Sequence, residues 1–163
     1  MQIRSKFRLS AFLSVFMLLV LLAIMIISLV GYIQYQIFPL WALIMLFLFL
    51  GFTWAWIFYG ELRTKVIRVE LCETGLSINR YFGLGKTINF EYSDFDGFMI
   101  SELPTRYSSY EYLYLLTSNK KQVKLSEYYH NNYEELKSYL GQKVEDLGEL
   151  EFNLLEEIKE IFT

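Results

Sequence analysis

A long stretch near the start of the sequence lacks charge. After Arg8 the next charged side chain is Glu61, so residues 9–60 contain no Asp, Glu, Lys or Arg. Two parts of this stretch, residues 11–30 and 38–59, are almost wholly apolar, and about 20 such residues span the hydrocarbon core of a bilayer. The pattern predicts two transmembrane helices joined by a short turn. The apolar content of the whole chain, 54%, supports this interpretation.

Cysteine and histidine are also scarce, with one copy of each. Cys72 cannot form an internal disulfide, which favours a reducing compartment. His130 has no partners at the spacing of a zinc site or of a Ser-His-Asp triad, so we expect a surface histidine near the start of a helix. The uncharged helices contain no ionisable residue of the kind that proton relays and transporters use.

Two short motifs resemble functional signatures without completing them. Residues 85–87 read Gly-Lys-Thr, like the end of a phosphate-binding loop, but that loop needs a glycine where Arg80 stands and a helix where a strand is predicted. Asp94 and Asp96 could form a carboxylate pair, although turn formation explains both. We therefore expect a protein that is not an enzyme and that needs no metal and no cofactor.

Basic residues flank the uncharged stretch on both sides. They are Arg4, Lys6 and Arg8 before it and Arg63, Lys65 and Arg68 after it. The connecting turn has none, so the positive-inside rule places both termini in the cytoplasm and predicts a multi-pass protein of the cell (inner) membrane. The same six residues are candidates for contacts with lipid headgroups. The alternative for the first span is a cleaved signal peptide, but the apolar stretch exceeds the usual core of about 7–15 residues.

The charges that follow the second span are balanced at first and then turn acidic. Residues 61–144 carry eleven acidic and eleven basic side chains, whereas residues 145–163 carry seven acids and only one base, Lys159. Nucleic-acid binding needs clustered Lys and Arg. The distribution of charge therefore argues against a nucleic-acid partner.

Short apolar segments alternate with turn signals from residue 61 to about residue 145, which is typical of an antiparallel sheet. We predict strands over residues 65–72, 76–82, 87–92, 95–101, 110–118 and 121–126. Their inward side chains would be Ile67, Val69, Leu71, Leu76, Ile78, Ile88, Phe90, Phe98, Ile100, Leu113, Leu115, Val123 and Leu125. Burying each is worth about 1.5–3 kcal/mol, which suffices for the core of a small domain.

A helix follows the strands, with Asn131 or Asn132 as its cap. Its apolar residues, Tyr133, Leu136, Leu140, Val144 and Leu147, recur every three or four positions. Several short strands followed by one helix resemble a pleckstrin-homology (PH) domain of the bacterial kind, attached to a two-span membrane anchor. The segments that carry the resemblance are residues 73–79 (ETGLSIN), 86–98 (KTINFEYSDFDGF), 112–125 (YLYLLTSNKKQVKL) and 131–140 (NNYEELKSYL).

The resemblance implies a small antiparallel β-barrel or sandwich with a C-terminal helix. It does not imply recognition of a particular lipid. Phosphoinositide-binding members use basic residues around the first hairpin loop, which here is the acidic stretch 72–75 with only Arg68 and Arg80 nearby. Specific phosphoinositide binding is therefore not expected.

Two surfaces are candidates for a protein partner. The tail, residues 146–163, is predicted to form an acidic amphipathic helix. Its apolar stripe would consist of Leu147, Leu150, Leu154, Ile158 and Ile161. This stripe packs either on the chain's own domain or hairpin, or on a partner or a second copy. Tyr112 and Tyr114 form the second candidate, because tyrosine is enriched at interfaces.

The predicted organisation is a cytoplasmic basic N-terminus over residues 1–10, a transmembrane hairpin over 11–60, a PH-like domain over 61–145 and an acidic helical tail over 146–163. The fold class is membrane-anchored α+β. The expected function is non-enzymatic, a binding or scaffold module that the bilayer holds and that binds a protein partner or itself. The alternative is an accessory subunit of a larger membrane complex, such as a transporter, that acts through its spans.

Overall fold

The computed structural model describes residues 2–36, 39–104, 109–118, 120–151 and 153. Within these ranges the chain forms a pair of long helices, two four-stranded sheets and a short helix.

The uncharged stretch forms the two long helices. α1 spans Leu9–Tyr35 and α2 spans Leu40–Ala55, and a π-helical segment, Trp56–Leu62, continues α2 without a break. Both helices are long and apolar enough to cross a membrane, judged by length and composition, and few of their side chains are buried. At the end of α1, Gln36 adopts the left-handed conformation with φ 48°. The two apolar helices predicted from the sequence are confirmed.

The first sheet has the strand order β1-β2-β3-β4, and all its neighbours are antiparallel. Its strands are β1 (Ile3–Arg4), β2 (Arg68–Leu71), β3 (Gly75–Asn79) and β4 (Thr87–Glu91). Three of these four are predicted strands, and each is shorter than expected. The sequence does not predict β1, because two residues are too few to show an alternating pattern.

The second sheet has the order β7-β6-β5-β8. Its strands are β5 (Gly97–Pro104), β6 (Ser109–Thr117), β7 (Lys120–Ser126) and β8 (Asp146–Glu149). β5, β6 and β7 are three of the predicted strands and are antiparallel as expected, and β8 lies parallel to β5 at the edge.

The two sheets share one core with α3, the helix Tyr133–Gly141. Asn132, one of the two expected caps, occupies the N-cap position, but its side chain makes no capping hydrogen bond. The buried core residues include Val69, Leu71, Leu76, Ile78, Phe98, Leu113, Leu115, Val123, Leu125, Leu136 and Leu140. A 3₁₀ turn, Tyr92–Asp94, separates β4 from β5, and its capping box ends β4 at Glu91. The described residues therefore form two sheets around a shared core and no closed barrel, so of the predicted barrel or sandwich they show the two-sheet arrangement.

Ile88 is one predicted core residue that the structure places elsewhere. Its side chain is 38% exposed, because β4 is the edge strand of the first sheet and most of its residues face solvent. Alternation along a strand distinguishes its two faces. It does not show whether another layer of the fold covers the apolar face.

The start of the tail is a second correction. α3 ends at Gly141, and Leu147 lies in β8 rather than on a helix. The chain then follows β5, since the N–H of Leu150 donates to the carbonyl oxygen of Ile100 at 2.7 Å. Pairing with the open edge of the sheet satisfies the backbone hydrogen-bonding groups of this segment. The prediction of a helix rested on the spacing of apolar residues alone. Leu154, Ile158 and Ile161 lie outside the described residues.

Candidate functional site at the helix–sheet junction

The long helices and the sheets meet in a second apolar cluster, which we call the junction. Its buried members are Ala11, Leu18, Leu62, Val66 and Tyr129, and the half-buried side chains of Phe7, Val15, Trp54, Ile57, Phe58, Tyr81, Phe82 and Tyr128 surround them. They come from α1 and the residues just before it, from the end of α2 with its π-helical continuation and the link to β2, and from the turns after β3 and β7. Burial of this cluster fixes the helices against the sheet domain.

Aromatic rings make close contacts in the junction. The ring centroid of Phe82, in the turn after β3, lies 5.2 Å from that of Phe12 in α1 and 4.9 Å from that of Phe7. The neighbouring Tyr81 stacks on Phe58 of the π-helical segment at 5.1 Å. Ring pairs at these distances add stabilisation to that which comes from the apolar area they bury.

Backbone hydrogen bonds join the N-terminal segment, residues 3–8, to the domain. The N–H of Ser5 donates to the carbonyl oxygen of Val69 at 2.8 Å, and the Ser5 hydroxyl accepts from the N–H of Val69 at 2.9 Å. Farther along, the N–H of Arg8 donates to the carbonyl oxygen of Tyr129 at 2.8 Å. The segments before α1 and after α2 are therefore paired with each other, so both lie on the same side of any membrane that the helices cross.

Glu61 is the polar centre of the junction. The hydroxyl of Tyr129 donates to Glu61 Oε2 at 2.6 Å, and Lys65 Nζ lies 2.9 Å from Glu61 Oε1. Burial, and then the Glu61 carboxylate, raise the pKa of Tyr129 above its ordinary value, so the phenol stays neutral and donates. This pair links the π-helical segment to the turn after β7.

His130 is fully buried, so the prediction of a surface histidine is wrong. Its Nδ1 lies 2.9 Å from the carbonyl oxygen of Ser126 and its Nε2 lies 2.8 Å from that of Ile67. Burial lowers the pKa of His130 from its ordinary value, while the two carbonyl oxygens favour the charged ring. The ring thus connects the end of β7 to the residue before β2, directly beside the junction.

The six basic flank residues all lie in or next to the paired segments, but their side chains make separate contacts. Arg4 Nε lies 2.8 Å from Glu70 Oε1, and the Arg68 guanidinium lies 5.9 Å from the ring centroid of Phe7. Lys65 is bound to Glu61. Of the other three, Lys6 is exposed. Arg8, at the start of α1, and Arg63, at the end of the π-helical segment, are half-buried.

The two tyrosines predicted to face a partner are buried within the chain. Tyr112 is 4% and Tyr114 is 1% exposed. Lys124 Nζ lies 4.4 Å and 5.1 Å from their ring centroids, and Lys121 Nζ lies 4.5 Å from that of Tyr114. These lysine side chains pack on the outer face of β6. Neither tyrosine ring is available to a partner in this arrangement.

The sequence contains a weak signal for the junction, although the predicted site residues do not include it. Glu61 is the first charge after the long uncharged stretch, and Tyr128, Tyr129 and His130 form an aromatic run between β7 and α3. A charge that follows an apolar helix immediately needs a partner close to that helix. Its partners are Lys65, four residues farther along, and Tyr129, whose identity only the three-dimensional structure reveals.

Over the ranges that the structure describes, no cluster of three or more His, Cys, Asp or Glu side chains could hold a metal ion. No protein-family model matches the chain, and no curated protein or solved structure matches it either. The junction is thus the feature from which a function has to be inferred.

Proposed function

We propose that this chain is a non-enzymatic, membrane-anchored binding module. In this proposal α1 and α2 span the bilayer, and the two-sheet domain lies against its cytoplasmic face. The junction carries the proposal. It joins two helices that are long and apolar enough to span a membrane to a domain of balanced charge, through apolar packing, backbone pairing and the Glu61–Tyr129 hydrogen bond.

The short connections favour a scaffold over a loosely tethered domain. β1 ends at Arg4 and α1 begins at Leu9, while the π-helical segment ends at Leu62 and β2 begins at Arg68. Few residues therefore separate either helix from the first sheet, and the junction covers both connections. A domain held in one orientation presents the same surface to every partner. Because it is already ordered, binding carries a smaller entropic cost.

Two sheets around a shared core, with a helix after the seventh strand, support the resemblance to a bacterial PH domain. The first hairpin turn supports a role other than phosphoinositide binding. It carries the exposed, acidic Glu73, and the nearby Arg68 lies over the Phe7 ring. The proposed ligand of the domain is accordingly a protein, with the bilayer as its support.

Site-specific photo-crosslinking in cells tests the proposal. A photoreactive residue placed on the domain surface at Glu134 or Ser93 should yield adducts with another protein or a second copy. Matched positions on the long helices, Leu22 and Phe49, should yield lipid adducts. All four residues are exposed. Protein adducts from Leu22 and Phe49 alone would instead identify an accessory subunit that acts through its spans.

A further inference from the structure

The turn between β3 and β4, residues 80–86, exposes an apolar side chain at its tip. Leu84 is 90% exposed, the largest fraction among the large apolar side chains of the described residues. Single exposed leucines are common on soluble proteins and need no explanation. Leu84 differs from such residues in its position relative to the two long helices.

The turn lies at the ends of both helices that could span a membrane. Phe82 contacts Phe12 in the first turns of α1, and Tyr81 stacks on Phe58 near the end of the α2 continuation. If the helices cross a bilayer, these contacts place the turn at the level where the spans leave the hydrocarbon. Leu84 follows Phe82 by two residues, so it lies at the same boundary.

Backbone hydrogen bonds hold the turn in an uncommon conformation. Tyr81 and Phe82 have φ values of 52° and 59°, which bulky residues rarely adopt. The N–H of Phe82 donates to the carbonyl oxygen of Val66 at 2.9 Å, and the N–H of Leu84 donates to that of Tyr81 at 3.0 Å. The strained conformation directs both rings into the junction and leaves Leu84 at the exposed tip.

The charge of the turn suits an anionic surface. The sequence of residues 80–86 is RYFGLGK, which contains Arg80 and Lys86 and no acidic residue. Lys86 is exposed beside the apolar tip. An apolar side chain between two basic ones is the composition expected for a loop that rests in a headgroup layer with anionic lipids.

We propose that this turn is a third membrane contact, in which Leu84 inserts into the headgroup region while Arg80 and Lys86 attract anionic headgroups. The inference rests on the proposed function, since it requires that the helices span the bilayer. It adds a fixed point of support away from the helix axes, which restrains rotation of the domain about the hairpin.

Depth-dependent fluorescence quenching tests this contact in the full chain. An environment-sensitive dye is attached to Leu84→Cys, Leu22→Cys or Ser93→Cys, each with Cys72→Ser, in nanodiscs of phosphatidylcholine and phosphatidylglycerol that contain spin-labelled lipid. Leu22 lies mid-way along α1, and Ser93 lies in the turn at the other end of β4. We expect strong quenching at position 22, quenching near the headgroup depth at 84 and none at 93.

The outcomes separate the inference from the proposed function. Quenching at position 22, with position 84 as unquenched as 93, would overturn the third contact and leave the membrane anchor standing. No quenching at either 22 or 84 would overturn both proposals.

A measurement without a dye provides a second test of the contact. Trypsin should cleave slowly after Lys86 in the nanodiscs, and Leu84→Asp should accelerate that cleavage several-fold there but not in detergent. Leu84 makes little contact with the protein, so the substitution should leave the thermal midpoint unchanged. Equal cleavage rates of the two proteins in nanodiscs would contradict the insertion of Leu84.

Discussion

Among single residues, Glu61 and Tyr129 make the hydrogen bond that most directly ties the helices to the domain. We predict that Tyr129→Phe lowers the free energy of unfolding by about 1.5 kcal/mol, at the low end of values for a hydrogen bond to a charged group because Glu61 is partly exposed. Thermal unfolding of the full chain in detergent measures the effect. Tyr128→Phe is the control, since Tyr128 contributes ring contacts to the same cluster. Equal midpoints for the two variants would show that the hydroxyl of Tyr129 contributes nothing.

His130 gives the domain a predictable dependence on pH. Because its pKa is lowered in the folded chain, the unfolded chain binds more protons as the pH falls through about 6.5, so acidification destabilises the fold in that range. We predict that the thermal midpoint falls between pH 7.5 and pH 5.5, and that His130→Gln reduces this slope. It is the only histidine, so no other side chain of that type titrates there. A midpoint that rises on acidification would mean that the two carbonyl oxygens hold the ring charged.

At the scale of secondary-structure elements, β8 depends on a glycine in the strand beside it. A Cβ atom on Gly97 would lie 2.4 Å from Leu147 Cγ and 2.8 Å from the carbonyl oxygen of Glu145. We predict that Gly97→Ala displaces β8, so that amides of residues 145–151 exchange hydrogen several-fold faster while those of β6 are unchanged. Gly141→Ala is the matched control, because its Cβ would meet only Phe98 at 3.9 Å. Unchanged exchange in Gly97→Ala would mean that β8 accommodates a methyl group.

The elements also show where the sequence is informative. The six predicted strands are present because alternation and turn residues are local properties, and each strand carries enough residues to display them. β1 and β8 are edge strands whose pairing depends on partners far away in the sequence. The three-residue spacing of Leu147 and Leu150 favours a helix over a strand, in which the two side chains face opposite sides. Only the open edge of β5 decides between them.

The same limit applies to the candidate site. The basic flanks are readable from the sequence, but Glu61, Tyr129 and His130 acquire their roles from contacts across more than 60 positions of the chain. The burial of Tyr112 and Tyr114 depends likewise on lysines of β7. A single sequence shows which residues are apolar. It does not show which helices and strands pack against each other, and that packing forms the junction.

For the whole molecule, the central claim is that the helices span a membrane and the domain stays on one side of it. Backbone pairing of the N-terminal segment with β2 places both flanks on the same side, and the basic residues of those flanks predict that this side is the cytoplasm. The turn between the helices would then lie outside. Gln34 precedes that turn and Glu134 lies on α3, and both are exposed.

Labelling of introduced cysteines in intact cells tests this claim most directly. In a Cys72→Ser background, a membrane-impermeant thiol reagent should modify Gln34→Cys in intact cells and Glu134→Cys only after permeabilisation. Labelling of Glu134→Cys in intact cells, or failure to label Gln34→Cys until the cells are opened, would contradict the proposed anchor and its orientation.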